Sequence, residues 1–135
     1  MNVPAVARFT TLVAVVLASA SLALAGTLHT GSWTKKTAKA SGEWTIVEED
    51  GGRFIELSDS FKTKNAPDLA LYVSPLSVGE LKNKNAEQGA VKIAQLTSHK
   101  GAQRYELPAD LDLAEFTSVM IHCKKYTKLW CASAL

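Results

Sequence analysis

The sequence predicts an all-β domain, an antiparallel β-sandwich of about eight short strands. Three observations lead there. Apolar and polar residues alternate in short runs, as they do in half-buried strands. Gly, Pro and Asp turn signals separate those runs roughly every 8–12 residues. No stretch after Gly26 keeps a sustained helical period.

The chain opens with "MNVPAVARFTTLVAVVLASASLALAG". Arg8 is its one charged side chain, the run from Leu12 to Ala25 is apolar, and the triplet Ala23-Leu24-Ala25 closes it. A positive start, a short apolar stretch and an A-x-A triplet make a signal peptide. The run is short, and rich in Ala and Ser, for a bilayer span of ~20 residues. The expectation is a leader over 1–25, cut before Gly26, and one domain over 26–135, periplasmic or secreted. No cysteine follows the cut, so no lipid anchor is expected there. Removing Arg8 takes one of 15 basic residues and none of 13 acidic ones, which leaves a formal charge of about +1. That balance, with no basic stretch interleaved with aromatics, argues against nucleic acid as a partner. Export places the two cysteines where they are able to pair.

"GEWTIVEEDGGRFIEL" (42–57) is the clearest piece of the domain. Trp44, Ile46 and Glu48 alternate with Thr45, Val47 and Glu49. Asp50-Gly51-Gly52 supplies the positive φ of a tight turn, and Phe54–Leu57 returns. "DLALYVS" (68–74) is a strand bounded by Pro67 and Pro75. "LSVGELKNKNAEQG" (76–89) is polar, lacks a period, and reads as a surface loop with one short turn. "AVKIAQL" (90–96) alternates again, and His99-Lys100-Gly101 makes a turn. "QRYELP" (103–108) is a strand stopped by Pro108. "ADLDLAEF" (109–116) suits one short helical turn, with Asp110, Asp112 and Glu115 in its cap and first turn. "SVMIHCKKY" and "KLWCASAL" are two closing strands. Trp33, Trp44 and Trp130 read as core or rim packing.

The chemistry concentrates in the closing strands. If "SVMIHC" is a strand, Val119, Ile121 and Cys123 share the apolar face, and Met120, His122 and Lys124 point outward. His122 and Cys123 are therefore poor co-ligands for one metal. The chain offers no CxxC or HxxxH spacing for zinc, and no metal site is expected. A turn at Tyr126-Thr127-Lys128 sets Cys123 opposite Cys131, at the Cβ spacing of ~3.8 Å that suits a disulfide. "YTK" is a poor turn sequence, and a slip of one residue puts the thiols on opposite faces, so the disulfide stays one alternative among others. A loop this short contributes about 2–3 kcal/mol. His29, His99 and His122 are scattered, read as surface histidines, and carry no G-x-S-x-G or similar signature, so no catalytic constellation is visible.

Four pieces, "GSW", "ASGEWTIVEEDGGRFIEL", "FKTKNAPDLALYVSP" and "GAQRYELPADLDLAEFTSVMIHCKKYTKLWCASAL", span about Gly31 to Leu135. Their order and spacing resemble the DM-thirteen (electron-transfer DM) domain family. The resemblance implies a β-sandwich and an electron-transfer or oxidative role centred on one cysteine, a bare thiol or the ligand of a group such as haem. The matching position is Cys123, the candidate redox and cofactor-binding residue. Two departures stand out. His122 replaces the aromatic residue common before the family cysteine, and Cys131 replaces the glycine common after Trp130.

Two functions follow. One is an exported redox domain, with Cys123 contacting a cofactor or forming a dithiol/disulfide couple with Cys131, and with a redox partner protein of the cell envelope. A reactive thiolate needs an electropositive, partly open setting, to which Lys124, Lys125 and Lys128 contribute. The other is a non-catalytic envelope binding module with Cys123–Cys131 as a structural clip. A ligand carrier is a weaker third reading, because side chains fill a fold of this size.

Overall fold

The computed structural model describes residues 26–135, and the expected leader over 1–25 lies outside the described residues. The described residues form eleven strands: β1 (Gly26–Ser32), β2 (Thr34–Lys35), β3 (Ala40–Ser41), β4 (Glu43–Glu49), β5 (Gly52–Leu57), β6 (Lys62–Thr63), β7 (Leu69–Ser74), β8 (Val91–Gln95), β9 (Gln103–Glu106), β10 (Ser118–Cys123) and β11 (Lys128–Ala134). The fold is all-β and sandwich-like. One sheet runs β1-β4-β5-β9, the second β2-β11-β10-β7-β8, and β3 pairs with β6 in a small ribbon. Every pairing is antiparallel.

Alternation builds the core. Trp44 and Ile46 of β4 and Ile55 and Leu57 of β5 turn inward from the first sheet. Leu71 and Val73 of β7, and Val119, Ile121 and Cys123 of β10, meet them from the second. The β4–β5 turn is the two-residue loop Asp50-Gly51, closed by Glu49 and Gly52. Both loop residues take positive φ, 51° and 77°, as a hairpin twisted this way requires. The expected helical turn is a single 3₁₀ turn, Leu113–Glu115, with the Asp112 carboxylate accepting from Ala114 N–H at 3.0 Å.

The second sheet differs from the expectation of one wet face. All six residues of β7 and all six of β10 are buried. The segment 76–89, expected as a surface loop, covers the outer face of this sheet together with Ala90. Leu81 and Ala86 pack there on Ala70, Tyr72, Met120, Leu129 and Ala132. Its backbone is irregular, so side chains complete its hydrogen bonding. Asn85 Oδ1 accepts from Lys82 N–H at 2.7 Å, and Asn83 Oδ1 accepts from Leu129 N–H at 2.9 Å. Lys36 Nζ and Ser118 Oγ pin the segment further by donating to the Val78 and Leu76 carbonyls, at 2.6 and 2.7 Å.

Two glycines separate strain from crowding. Gly42 and Gly51 both have positive φ. A Cβ at Gly42 would also lie 2.7 Å from Phe61 N and Ser58 Oγ, whereas one at Gly51 meets nothing within 4 Å. Gly51→Ala is expected to cost about 1–3 kcal/mol from strain alone, and Gly42→Ala distinctly more. Urea unfolding of the two variants checks this; equal losses would mean that the Gly42 corner relaxes freely.

Candidate redox site

The β10–β11 hairpin holds both cysteines. Its turn is Lys124–Thr127, closed by Cys123 and Lys128. Thr127 takes a φ of 51°, and its N–H donates to the Lys124 carbonyl at 3.1 Å. The turn begins two residues before the expected "YTK", which moves the register. Cys123 stands opposite Lys128, and Cys131 stands opposite Ile121.

A bulge completes that arrangement. The register slips between Ile121 and His122, and Trp130 is the extra residue on β11. Leu129 faces the outer cluster, Trp130 and Cys131 both face the inter-sheet core, and Ala132 faces outward again. The thiols thus share the core face, but diagonally rather than directly opposite. A diagonal pair has Cα atoms ~7–8 Å apart, against the ~4.4–6.8 Å that a disulfide spans. Both cysteines are free thiols, and both have no exposed surface. Burial pushes the Cys131 thiol well above the ordinary range for cysteine, and the Ile121 backbone opposes this only in part.

A haem on Cys123, which the resemblance implies, does not fit this arrangement. The sulfur side of Cys123 is filled by the apolar core. Cys123 and Cys131 line none of four grooves on the surface of the described residues. Among the described residues no group of three or more His, Cys, Asp or Glu is placed to hold a metal ion.

His122 also departs from its expected place. It lies on the face opposite Cys123, as alternation demands, but that face is roofed by residues 76–90, so the ring is fully buried. It meets Tyr72 edge-on, with centroids 5.8 Å apart and planes at 82°. Neither Nδ1 nor Nε2 has a hydrogen-bond partner. Burial holds its pKa below the usual histidine value, while Glu87 and Asp68 pull the other way. The Lys128 backbone also opposes the shift, although it reaches neither nitrogen in hydrogen-bonding geometry. Leu81 and Ala86, two apolar positions in a polar run, are the signal in the sequence for this roof.

A histidine with a lowered folded pKa stabilises the fold above its unfolded value near 6.5, and that contribution drains away as pH falls below it. His122→Leu is expected to lose less stability than the parent between pH 7.5 and 5. At pH 8 it should match the parent or exceed it by up to about 1–3 kcal/mol, since two orphaned nitrogens vanish. Denaturant unfolding across this range checks both points; parallel pH curves would place the titration elsewhere.

The comparisons with known proteins bear on this hairpin directly. A family model described as Electron transfer DM13 matches residues 32–133, a span that runs from the last residue of β1 to the penultimate residue of β11 and includes both cysteines. Comparison with curated proteins and with solved structures gave no match. Among the described residues no helix is long and apolar enough to cross a membrane. With a match over most of its length, the chain belongs to the Electron transfer DM13 family.

Proposed function

We propose that this chain is an exported redox domain of the cell envelope whose active group is the thiol pair Cys123 and Cys131. One observation carries the reading: in a chain of an electron-transfer family, two free thiols share one face of paired strands, one strand repeat apart. Cofactor ligation by Cys123 is the weaker branch, because the core fills the space beside its sulfur.

The two thiols differ in access. Cys123 is the last residue of β10, next to the turn Lys124–Thr127, in which every residue is exposed. Cys131 lies inside β11, between two strands. Fraying of the hairpin tip therefore uncovers Cys123 first. Its thiolate attacks a disulfide on a partner protein, and one partner thiolate leaves. Cys131, deprotonated once opened, then attacks the Cys123 sulfur, and the second partner thiolate leaves. The chain loses two S–H bonds and gains one S–S bond; the partner gains two electrons and two protons. Closing the bond needs β10 and β11 to shift locally by about 1 Å. Lys124, Lys125 and Lys128 flank the tip and favour an acidic partner face.

The test equilibrates the protein in glutathione redox buffers, quenches by denaturing alkylation and reads intact mass. A joint loss of both alkyl groups at one potential, with a glutathione adduct accumulating on Cys123 in Cys131→Ser, is expected. Two groups retained at all potentials would refute the couple. A bond that no buffer reduces, with a sharp fall in melting temperature under strong reductant, would make it a structural clip in a binding module.

A further inference from the structure

The β3–β6 ribbon carries a charge pattern that nothing in the hairpin explains. Ala40 stands opposite Thr63, and Ser41 opposite Lys62. Ala40 and Thr63 turn inward and are buried. The other face therefore presents Ser41 and Lys62, and one residue further along the same register, Lys39 and Lys64. Lys100 joins this face, opposite Lys62 through an antiparallel bridge. All four lysines are exposed. Like charges set directly opposite each other across strands are destabilising, and here the arrangement occurs twice.

No carboxylate relieves it. The segments 35–42, 60–67 and 97–102 contain no Asp or Glu. Among the described residues the ion pairs are Arg104–Glu49 and Lys124–Glu87, and neither involves this ribbon. The acids that flank the ribbon along the chain, Glu43 and Asp59, form no ion pair, and Asp68 has its oxygens committed to Gln95 Nε2 and Lys125 N–H.

The ribbon is also held rigidly. Trp130 Nε1 donates to Thr63 Oγ1 at 3.0 Å and to the Lys64 carbonyl at 3.2 Å. Thr63 Oγ1 in turn donates to the Lys39 carbonyl at 2.9 Å. The buried indole thus fixes the backbone from which three of the four lysines project. Between them lies an open groove of about 390 Å³, lined by Lys39, Ser41, Lys62, Thr63 and Lys64.

We propose that this groove binds a ligand bearing two or more clustered phosphate groups. A phosphate group places up to about two charges on one compact tetrahedral centre. Ammonium groups bind it as point charges with three donors each. Planar carboxylates are better matched by the fork of arginine, and the groove has none. Its size takes a compact, densely charged group. The cysteines take no part, so this inference stands apart from the redox reading.

Titration of the purified protein with tripolyphosphate at low salt tests it, read by calorimetry and by melting temperature. Saturable binding is expected, weakening as salt rises. Lys39→Gln/Lys64→Gln and, separately, Lys62→Gln should each weaken it, the double variant at least tenfold, while Lys124→Gln/Lys125→Gln leaves it unchanged. Both groove variants should melt at or above the parent temperature, because repulsion is removed. Hexaglutamate should bind at least tenfold more weakly than tripolyphosphate. Sedimentation with phosphatidic acid vesicles, but not phosphatidylcholine vesicles, would assign the phosphate to a lipid headgroup; tripolyphosphate binding without vesicle binding would assign it to a soluble ligand. Unchanged affinity in the groove variants, or no saturable binding, would overturn the proposal. Equal binding of hexaglutamate would replace it with an acidic protein face.

Discussion

The bulge at Trp130 is the constraint on which the rest of this structure turns. One extra residue in β11 lets two consecutive side chains, Trp130 and Cys131, enter the same core. Strict alternation would send one of them outward. It also brings Leu129 against His122 on the far face and Cys131 against Ile121 on the near one. The diagonal relation of the thiols, the apolar surroundings of Cys131 and the position of the indole all follow from this one insertion.

Trp130 connects three layers. Its ring belongs to the inter-sheet core, while its N–H leaves that core to fasten β6. Its carbonyl accepts from the N–H groups of Lys36, Thr37 and Ala38, which holds the chain leaving β2 against β11. The lysine-bearing ribbon and the cysteine strand are thus parts of one hydrogen-bonded unit. On the other face the irregular 76–90 segment removes water from Tyr72, Met120 and His122. A sheet covered on both sides loses the wet face that antiparallel sheets commonly keep. The orphaned nitrogens of His122 are the polar cost of that cover.

The sandwich was legible where alternation was long enough to read. The 43–57 hairpin, the strand between the two prolines and the closing pair each carry five or more patterned residues, and Asp50-Gly51 marks its own turn. The two-residue strands β2, β3 and β6 are too short to show any period, so the ribbon and its lysine face stayed hidden. The inward face of Cys123 was legible from Val119 and Ile121. Its relation to Cys131 was not, because a turn placed by tertiary packing and a bulge with no residue signature decide it. His122 misled for a similar reason: alternation gave its face, but only the path of 76–90 decides whether that face is wet.

The most direct measurement is the set of cross-strand nuclear Overhauser contacts between β10 and β11 in the reduced protein in solution. The account predicts backbone contacts linking Ile121 with Cys131 and His122 with Leu129, with Trp130 lacking an opposite partner. Contacts that set Cys123 directly opposite Cys131, with no unpaired residue between, would contradict it. The thiols would then be in position to bond without any shift of the strands, and the bulge would no longer organise the site.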